Sequence, residues 1–256
     1  MAESAIGIAM AQIICLNGDR AGNRLRIENA IIQAKMAGAS LITFPESCLL
    51  GWINPEAHQE AFPIPGEDSA FIAALAGKYD VFISLGIDEK EGDKLYGSAL
   101  LVDNSGNIML KHRKINVLPH LMNPPYTAGN KIATVETAFG RIGLMICADT
   151  FEDNLLAEMK AQKPDLLLVP YGWAAETKEW PAHGKKLVEV VEKVAKTLHC
   201  PVIGTNAIGQ ITDGSWKGRI YGGQSVACDE NGKVLKIGKD REPEVSIVPI
   251  ELKKKI

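Results

Sequence analysis

Residues 96–114 read Tyr-Gly-Ser-Ala-Leu-Leu-Val-Asp-Asn-Ser-Gly-Asn-Ile-Met-Leu-Lys-His-Arg-Lys. Two apolar runs, Tyr96–Val102 and Ile108–Lys114, flank the tight turn Asp103-Asn104-Ser105-Gly106, whose composition returns a chain antiparallel to itself. A similar turn, Asp229-Glu230-Asn231-Gly232, lies towards the other end. Antiparallel pairs within a chain that otherwise alternates strands and helices require mixed sheets. They disfavour an all-parallel Rossmann sheet or a (β/α)8 barrel.

Outward from this segment, short Val/Ile/Leu-rich runs alternate with longer amphipathic segments, the pattern of an α/β domain whose buried strands are covered by helices. The remaining strands are expected at Ile6–Gln12, Leu41–Pro45, Val81–Ile87, Ile132–Thr137, Arg141–Ile146, Leu166–Pro170, Val202–Asn206, Gln224–Cys228 and Ser246–Ile250. Helices are expected at Asn23–Ala37, Asp68–Lys78, Asp153–Gln162 and Ala182–Leu198. In the first, Leu25, Ala30 and Ile31 share helical spacing opposite Arg and Glu, and Gly38 supplies a stop. The stretch around Pro119, Pro124 and Pro125 is the clearest irregular loop. With no repeat, low-complexity tract or long linker, residues 1–256 read as one domain.

A chain of 256 residues, 46% hydrophobic, can bury a substantial core. Its formal charge of −3 is scattered and offers no footprint for nucleic acid or an anionic membrane, so a small-molecule partner is favoured. The terminal Lys253-Lys254-Lys255 reads as a solvated tail. Five cysteines without paired spacing indicate neither a zinc site nor a disulfide framework, which fits a reducing cytoplasm. An acidic N-terminus and the lack of a run of about 20 apolar residues argue against export or membrane insertion.

Three residue types at strand ends carry chemistry. Cys147 follows the run Arg141–Ile146 and precedes Ala148-Asp149-Thr150, where a helical pattern begins. A thiol on a strand-to-helix turn lies at a sheet edge, and the N–H groups of the following turn favour thiolate. The bland alternative is a packed strand cysteine. Glu46 ends Leu41-Ile-Thr-Phe-Pro, where burial without a counter-charge would raise its pKa and make it a general base. An exposed acid after Pro45 is the competing reading. Strand alternation sends Lys114 and His112 to one face, and Lys111 and Arg113 to the other. A solvated basic strand end competes there.

Acyl transfer explains why these three types belong together. A carboxylate accepts the thiol proton and later returns it to a departing amine. An ammonium and a backbone N–H stabilise the oxyanion, and losing one such donor typically costs roughly 3–4 kcal/mol of barrier. Spacing alone leaves a cysteine–histidine site open.

The segments Phe44-Pro45-Glu46, His112-Arg113-Lys114 and Gly143-Leu144-Met145-Ile146-Cys147-Ala148-Asp149 resemble the nitrilase superfamily of carbon–nitrogen hydrolases. The likeness extends from Ala9-Met10-Ala11-Gln12 through Lys163-Pro164-Asp165 and Val169-Pro170. It continues to Tyr221-Gly222-Gly223-Gln224-Ser225 and the turn Asn231-Gly232-Lys233-Val234. It implies a four-layer α-β-β-α sandwich with two mixed sheets packed face to face, assembled as a homodimer or larger homo-oligomer, with no metal or organic cofactor. It implies Glu46 as general base, Lys114 as oxyanion-stabilising cation and Cys147 as nucleophile, with the Ala148 N–H assisting. The implied reaction is hydrolysis of a small amide through a thioester. The alternatives are conversion of a nitrile to acid and ammonia, or a catalytically impaired binding protein.

Two departures stand out. Many relatives carry a second glutamate shortly after the lysine, yet no acid lies between Lys114 and Glu136. The matching place falls near Met122 or Asn123, so His120 or Asn123 is expected to substitute. Thr150 stands where many relatives place an arginine, which argues against acidic substrates. Trp52, Tyr171 and Trp173 follow strands that border the site and are expected to line a pocket. Cys48 reads as a packed loop thiol, Cys15, Cys200 and Cys228 as core, and His58, His183 and His199 as surface or satisfied side chains.

Overall fold

The computed structural model describes residues 5–252, so the Lys253–Lys255 tail lies outside the described residues. The first half runs β1 (Ala5–Gln12), α1 (Arg20–Met36), β2 (Leu41–Thr43), α2 (Ala57–Glu60), α3 (Glu67–Tyr79), β3 (Phe82–Glu91), β4 (Lys94–Val102) and β5 (Ile108–Arg113). The second runs β6 (Thr134–Thr137), β7 (Gly140–Leu144), α4 (Asp153–Ala161), β8 (Leu166–Tyr171), β9 (Ala174–Ala175), α5 (Ala182–Leu198) and β10 (Val202–Asn206). It ends with β11 (Ile208–Gln210), β12 (Ile220–Gly222), β13 (Val226–Cys228), β14 (Val234–Ile237) and β15 (Glu244–Glu251).

Two six-stranded sheets, ordered β15-β1-β2-β3-β4-β5 and β14-β13-β10-β8-β7-β6, form the centre, with a small β11-β12-β9 sheet beside them. Both large sheets are mixed. β1 pairs parallel with β2 and antiparallel with β15, and β8 lies parallel between β7 and β10. The first sheet's parallel strands β1-β2-β3 are continued by the antiparallel strands β4 and β5, while in the second the parallel strands β7-β8-β10 lie between the antiparallel pairs β6–β7 and β13–β14. The Asp103 and Asp229 turns are built alike: the aspartate carboxylate accepts from backbone N–H groups two and four residues on.

The apolar strand runs follow from burial on both faces. In β1, Ile8 and Met10 join the core between the sheets, while Ala9 and Ala11 face the core shared with Ile27, Ile31 and Ile72 of α1 and α3. On the other side Leu156, Leu187 and Val191 bring α4 and α5 onto the second sheet. The result is the expected α-β-β-α layering. Between the sheets Thr43 and Thr205 hydroxyls hydrogen-bond at 2.6 Å.

Some boundaries differ from expectation. α1 starts at Arg20, because Asp19 caps it by accepting from the Gly22 N–H. Asn23 instead sits buried, donating to the Leu16 and Leu49 carbonyls. Leu25 is 64% exposed, so the buried stripe of α1 runs through Ile27, Ala30, Ile31 and Ala34. β3 continues past Ile87 because the buried Glu89 is satisfied by Ser98, Lys111 and Arg113. β13 starts only at Val226, after Gln224 takes a left-handed φ of 53°.

Candidate active site

Glu46 and Lys114 follow β2 and β5 of the first large sheet, and Cys147 follows β7 of the second. Past β2, the Phe44 N–H still donates to the Ser84 carbonyl, the Gly86 N–H to Pro45 and the Cys48 N–H to Gly86. The Glu46 N–H crosses to the Tyr171 carbonyl of the other sheet at 3.3 Å. β3 passes so close that a β-carbon at Gly86 would lie 2.4 Å from Glu46 Cα, which is why glycine stands there.

Lys114 follows β5, with its N–H on the Gly97 carbonyl and its carbonyl taken by Gly129. Its Nζ donates to Glu46 Oε1 at 2.6 Å, and the two side chains are only 4% and 3% exposed. The Trp52 ring lies 5.6 Å from the same ammonium. Cys147 opens a 3-10 turn, Cys147–Phe151, with φ at +43°. A non-glycine residue in that region stores about 1–3 kcal/mol of strain and persists only where surroundings enforce it. The Thr150 hydroxyl donates to the Cys147 carbonyl at 2.7 Å and helps hold the turn.

The electrostatics favour a protonated resting thiol. Burial, aided by the Glu46 charge, pushes the Cys147 thiol up to about 12, against the opposing pull of Lys114 and the Gly172 N–H. This corrects the expectation of a favoured thiolate: desolvation outweighs the turn dipole. Burial also raises the Glu46 carboxyl, although the counter-charge expected to be missing is present as Lys114. Burial works against the Lys114 ammonium, but the Glu46 charge and hydrogen bond outweigh it and hold it up at about 12. A carboxylate poised upward beside a neutral thiol can take its proton as a bond forms, while the fixed cation awaits an oxyanion.

Asp149 locks this arrangement. Oδ1 accepts from the Ile115 and Asn116 N–H groups at 2.9 and 2.8 Å, while Oδ2 accepts from the Ile146 N–H at 3.1 Å and His112 Nε2 at 2.8 Å. One carboxylate thus ties the chain on both sides of Lys114 to the residue preceding Cys147. His112 therefore orients the site from the face it shares with Lys114, while Lys111 and Arg113 turn to Glu89, as alternation requires.

The other expected residues separate. Trp52 is buried beside Lys114. Tyr171 is fully buried, its hydroxyl 3.1 Å from that of Thr150. Trp173 stacks on His183 and meets Phe151 edge-on. His120 and Asn123 are exposed and line a surface cavity of about 520 Å³ that includes none of Glu46, Lys114 and Cys147. Leu118 turns left-handed there, and the inward positions go to Leu121, Met122 and Tyr126. The remaining four cysteines are buried and unbridged; His58 and His183 are partly exposed and His199 exposed. Sequence reading missed Gly172, whose contact with Cys147 comes from a distant strand end, and Asp149, whose place two residues after the thiol was the available signal.

The carbon-nitrogen hydrolase family model matches residues 7–254. The chain belongs to that family. Over 237 residues it is 27% identical to a nitrilase of Pyrococcus abyssi, covering 90% of this chain and 84% of that protein. Over 174 residues it is 27% identical to a bifunctional nitrilase/nitrile hydratase of Nicotiana tabacum, covering 59% of this chain. The chain spans about half the length of this tobacco relative and of the lupin relatives it matches. An amidase from Nesterenkonia sp. shares the fold with a TM-score of 0.84 at 19% identity, covering 98% of this chain and 92% of that chain. The likeness to that amidase is one of fold. Among the described residues no helix is long and apolar enough to cross a membrane, and no group of three or more His, Cys, Asp or Glu side chains could hold a metal.

Proposed function

We propose that this carbon–nitrogen hydrolase cleaves small non-peptide amides through a thioester on Cys147. The observation that carries the reading is the buried 2.6 Å pair of Lys114 and Glu46 within electrostatic reach of the Cys147 thiol. As Sγ attacks the amide carbon, Glu46 takes the thiol proton, and the carbonyl oxygen becomes an oxyanion beside Lys114 Nζ and the Ala148 N–H. Glu46 then passes the proton to the nitrogen, the C–N bond breaks, and ammonia or an amine leaves. Water attacks the thioester, Glu46 takes its proton, and the second collapse releases the acid and returns the proton to sulfur. Each proton removed has one acceptor, and none is left over.

A nitrile is the second reading, favoured by the names of the curated relatives. Attack there gives a thioimidate, and full hydrolysis needs a second water with loss of ammonia. The amide is preferred because the likeness in fold reaches amidases, one variant of which carries the acetamide moiety of fluoroacetamide on its active-site cysteine. Trp52 is assigned to the substrate pocket, with Tyr171 and Trp173 behind it. His120 and Asn123, at the outer loop, are assigned no part in the chemistry. We further read residues 1–256 as one domain acting in the cytoplasm as a homo-oligomer.

The test is ammonia release from aliphatic amides, carbamoyl amines and nitriles, with C147A as control. Release from an amide, abolished in C147A, is the expected result. Release from nitriles alone would establish the second reading. Silence from every compound, with Cys147 no more reactive than the other cysteines, would leave only a binding role and overturn both.

A further inference from the structure

Asp88 is a buried acid that the mechanism above does not use. It lies on β3 and is 1% exposed. Its Oδ1 accepts from the Ser47 hydroxyl at 3.1 Å and the Tyr126 hydroxyl at 2.8 Å, while its buried Oδ2 has no hydrogen-bond partner among the described residues. An apolar interior tolerates such a half-satisfied carboxyl poorly, so its retention calls for a role.

The two donors show what Asp88 connects. Ser47 directly follows Glu46 and has φ at +46°, a left-handed conformation that a serine keeps only under restraint. Its hydroxyl is held by Asp88. Tyr126 belongs to the loop that follows Lys114, and its buried ring packs in the same core as Trp52. One carboxyl oxygen therefore joins the turn carrying the base to the loop leaving the cation.

We propose that Asp88 is the positioning residue for the general base, fixing the Glu46 turn through Ser47 and the loop after Lys114 through Tyr126. The proposal rests on the reading of Glu46 as base to Cys147. It assigns Asp88 no contact with substrate.

The charges around Asp88 support a functional coupling. Burial pushes its carboxyl up to about 7, and the Glu46 and Asp68 charges add to this against the Tyr126 and Ser47 hydrogen bonds. Facing it are Glu46 and Cys48 from the β2 turn, Tyr126 from the loop, Tyr221 from β12 and Asp68 from α3, itself paired with Arg20 and Arg24. By reciprocity, an ionised Asp88 raises the proton affinity of Glu46. Replacing Asp88 by the isosteric asparagine removes that charge and leaves Ser47 and Tyr126 only an amide oxygen, a weaker acceptor than a carboxylate.

The experiment follows iodoacetamide alkylation of Cys147 in the full chain across pH, by peptide mass analysis, for wild type, D88N, S47A, Y126F and the D88N/S47A pair. The expected results are a tenfold or greater slowing of Cys147 alkylation in D88N and S47A, with the rates at the other four cysteines unchanged. The double variant should slow no more than the worse single one, since both act on one connection. A slowing under fivefold in both single variants, or an equal slowing at the other four cysteines of a folded D88N, overturns the proposal. Should D88N fail to fold, S47A and Y126F decide by the same fivefold criterion. Wild-type Cys147 reacting no faster than the other four cysteines would instead remove the base–nucleophile reading beneath it.

Discussion

His112 Nε2 lies 2.8 Å from Asp149 Oδ2, both side chains almost wholly out of solvent, and this contact closes a four-bond cage around one carboxylate. Removing the carboxylate strands three backbone N–H groups and an imidazole at once. D149A is expected to lower unfolding stability by about 3–5 kcal/mol, the range for breaking a buried charged network, as measured by urea denaturation. Burial works to raise the Asp149 carboxyl, but the His112 and backbone hydrogen bonds outweigh it and hold it below the ordinary range. Its contribution is therefore full above the unfolded pKa of about 4 and disappears as pH falls through the lower folded value. Wild type and D149A should converge in stability under strong acid; a gap unchanged by acid would contradict the cage.

Glu46 is shifted the opposite way, chiefly by burial. Its base form is lost as pH falls through a folded pKa above the ordinary glutamate value of about 4.3. The acid limb of kcat/KM on any amide turned over should accordingly lie above that value. A limb at or below it would mean that another group supplies the base.

Gly172 and Gly86 both crowd Glu46. A methyl group at Gly172 would stand 2.9 Å from Glu46 Oε2 and 3.1 Å from the Trp52 ring, side chains that can yield by a few tenths of an ångström. At Gly86 it would meet Glu46 backbone at 2.4 Å, which cannot yield without moving the turn. G172A is expected to lose roughly tenfold or more in kcat/KM with little loss of stability, whereas G86A should lose both activity and about 1–3 kcal/mol of stability. Steady-state kinetics beside thermal melts would separate the two, and equal behaviour would contradict the geometry.

The three side chains proposed to react drew notice because each stands where a strand ends, and type, order and flanks are local signals. The layering was legible for a similar reason: two-faced burial leaves continuous Val/Ile/Leu runs, and the Asp103 and Asp229 turns declare antiparallel returns. His120 and Asn123 were misplaced because the direction of side chains in the 115–133 loop depends on a left-handed Leu118 and on packing of Leu121, Met122 and Tyr126, none of which has a period. Asp88 and Glu89 looked like the end of a strand, since the partners that make their burial tolerable lie on β4, β5 and two loops. The resting state of Cys147 was misread because desolvation depends on everything packed around a residue, whereas a turn dipole can be inferred from its immediate neighbours.

Cys147 is the residue proposed to carry the acyl group. The most direct measurement is acid quenching of wild-type protein during turnover of a short aliphatic amide, followed by tryptic peptide mass analysis. The peptide spanning residues 142–160 contains Cys147 and no other cysteine. The acyl mass is expected on that peptide in the wild type and is expected to be absent in C147A. Ammonia released with that peptide unmodified, or with the acyl group on Cys15, Cys48, Cys200 or Cys228, would contradict it.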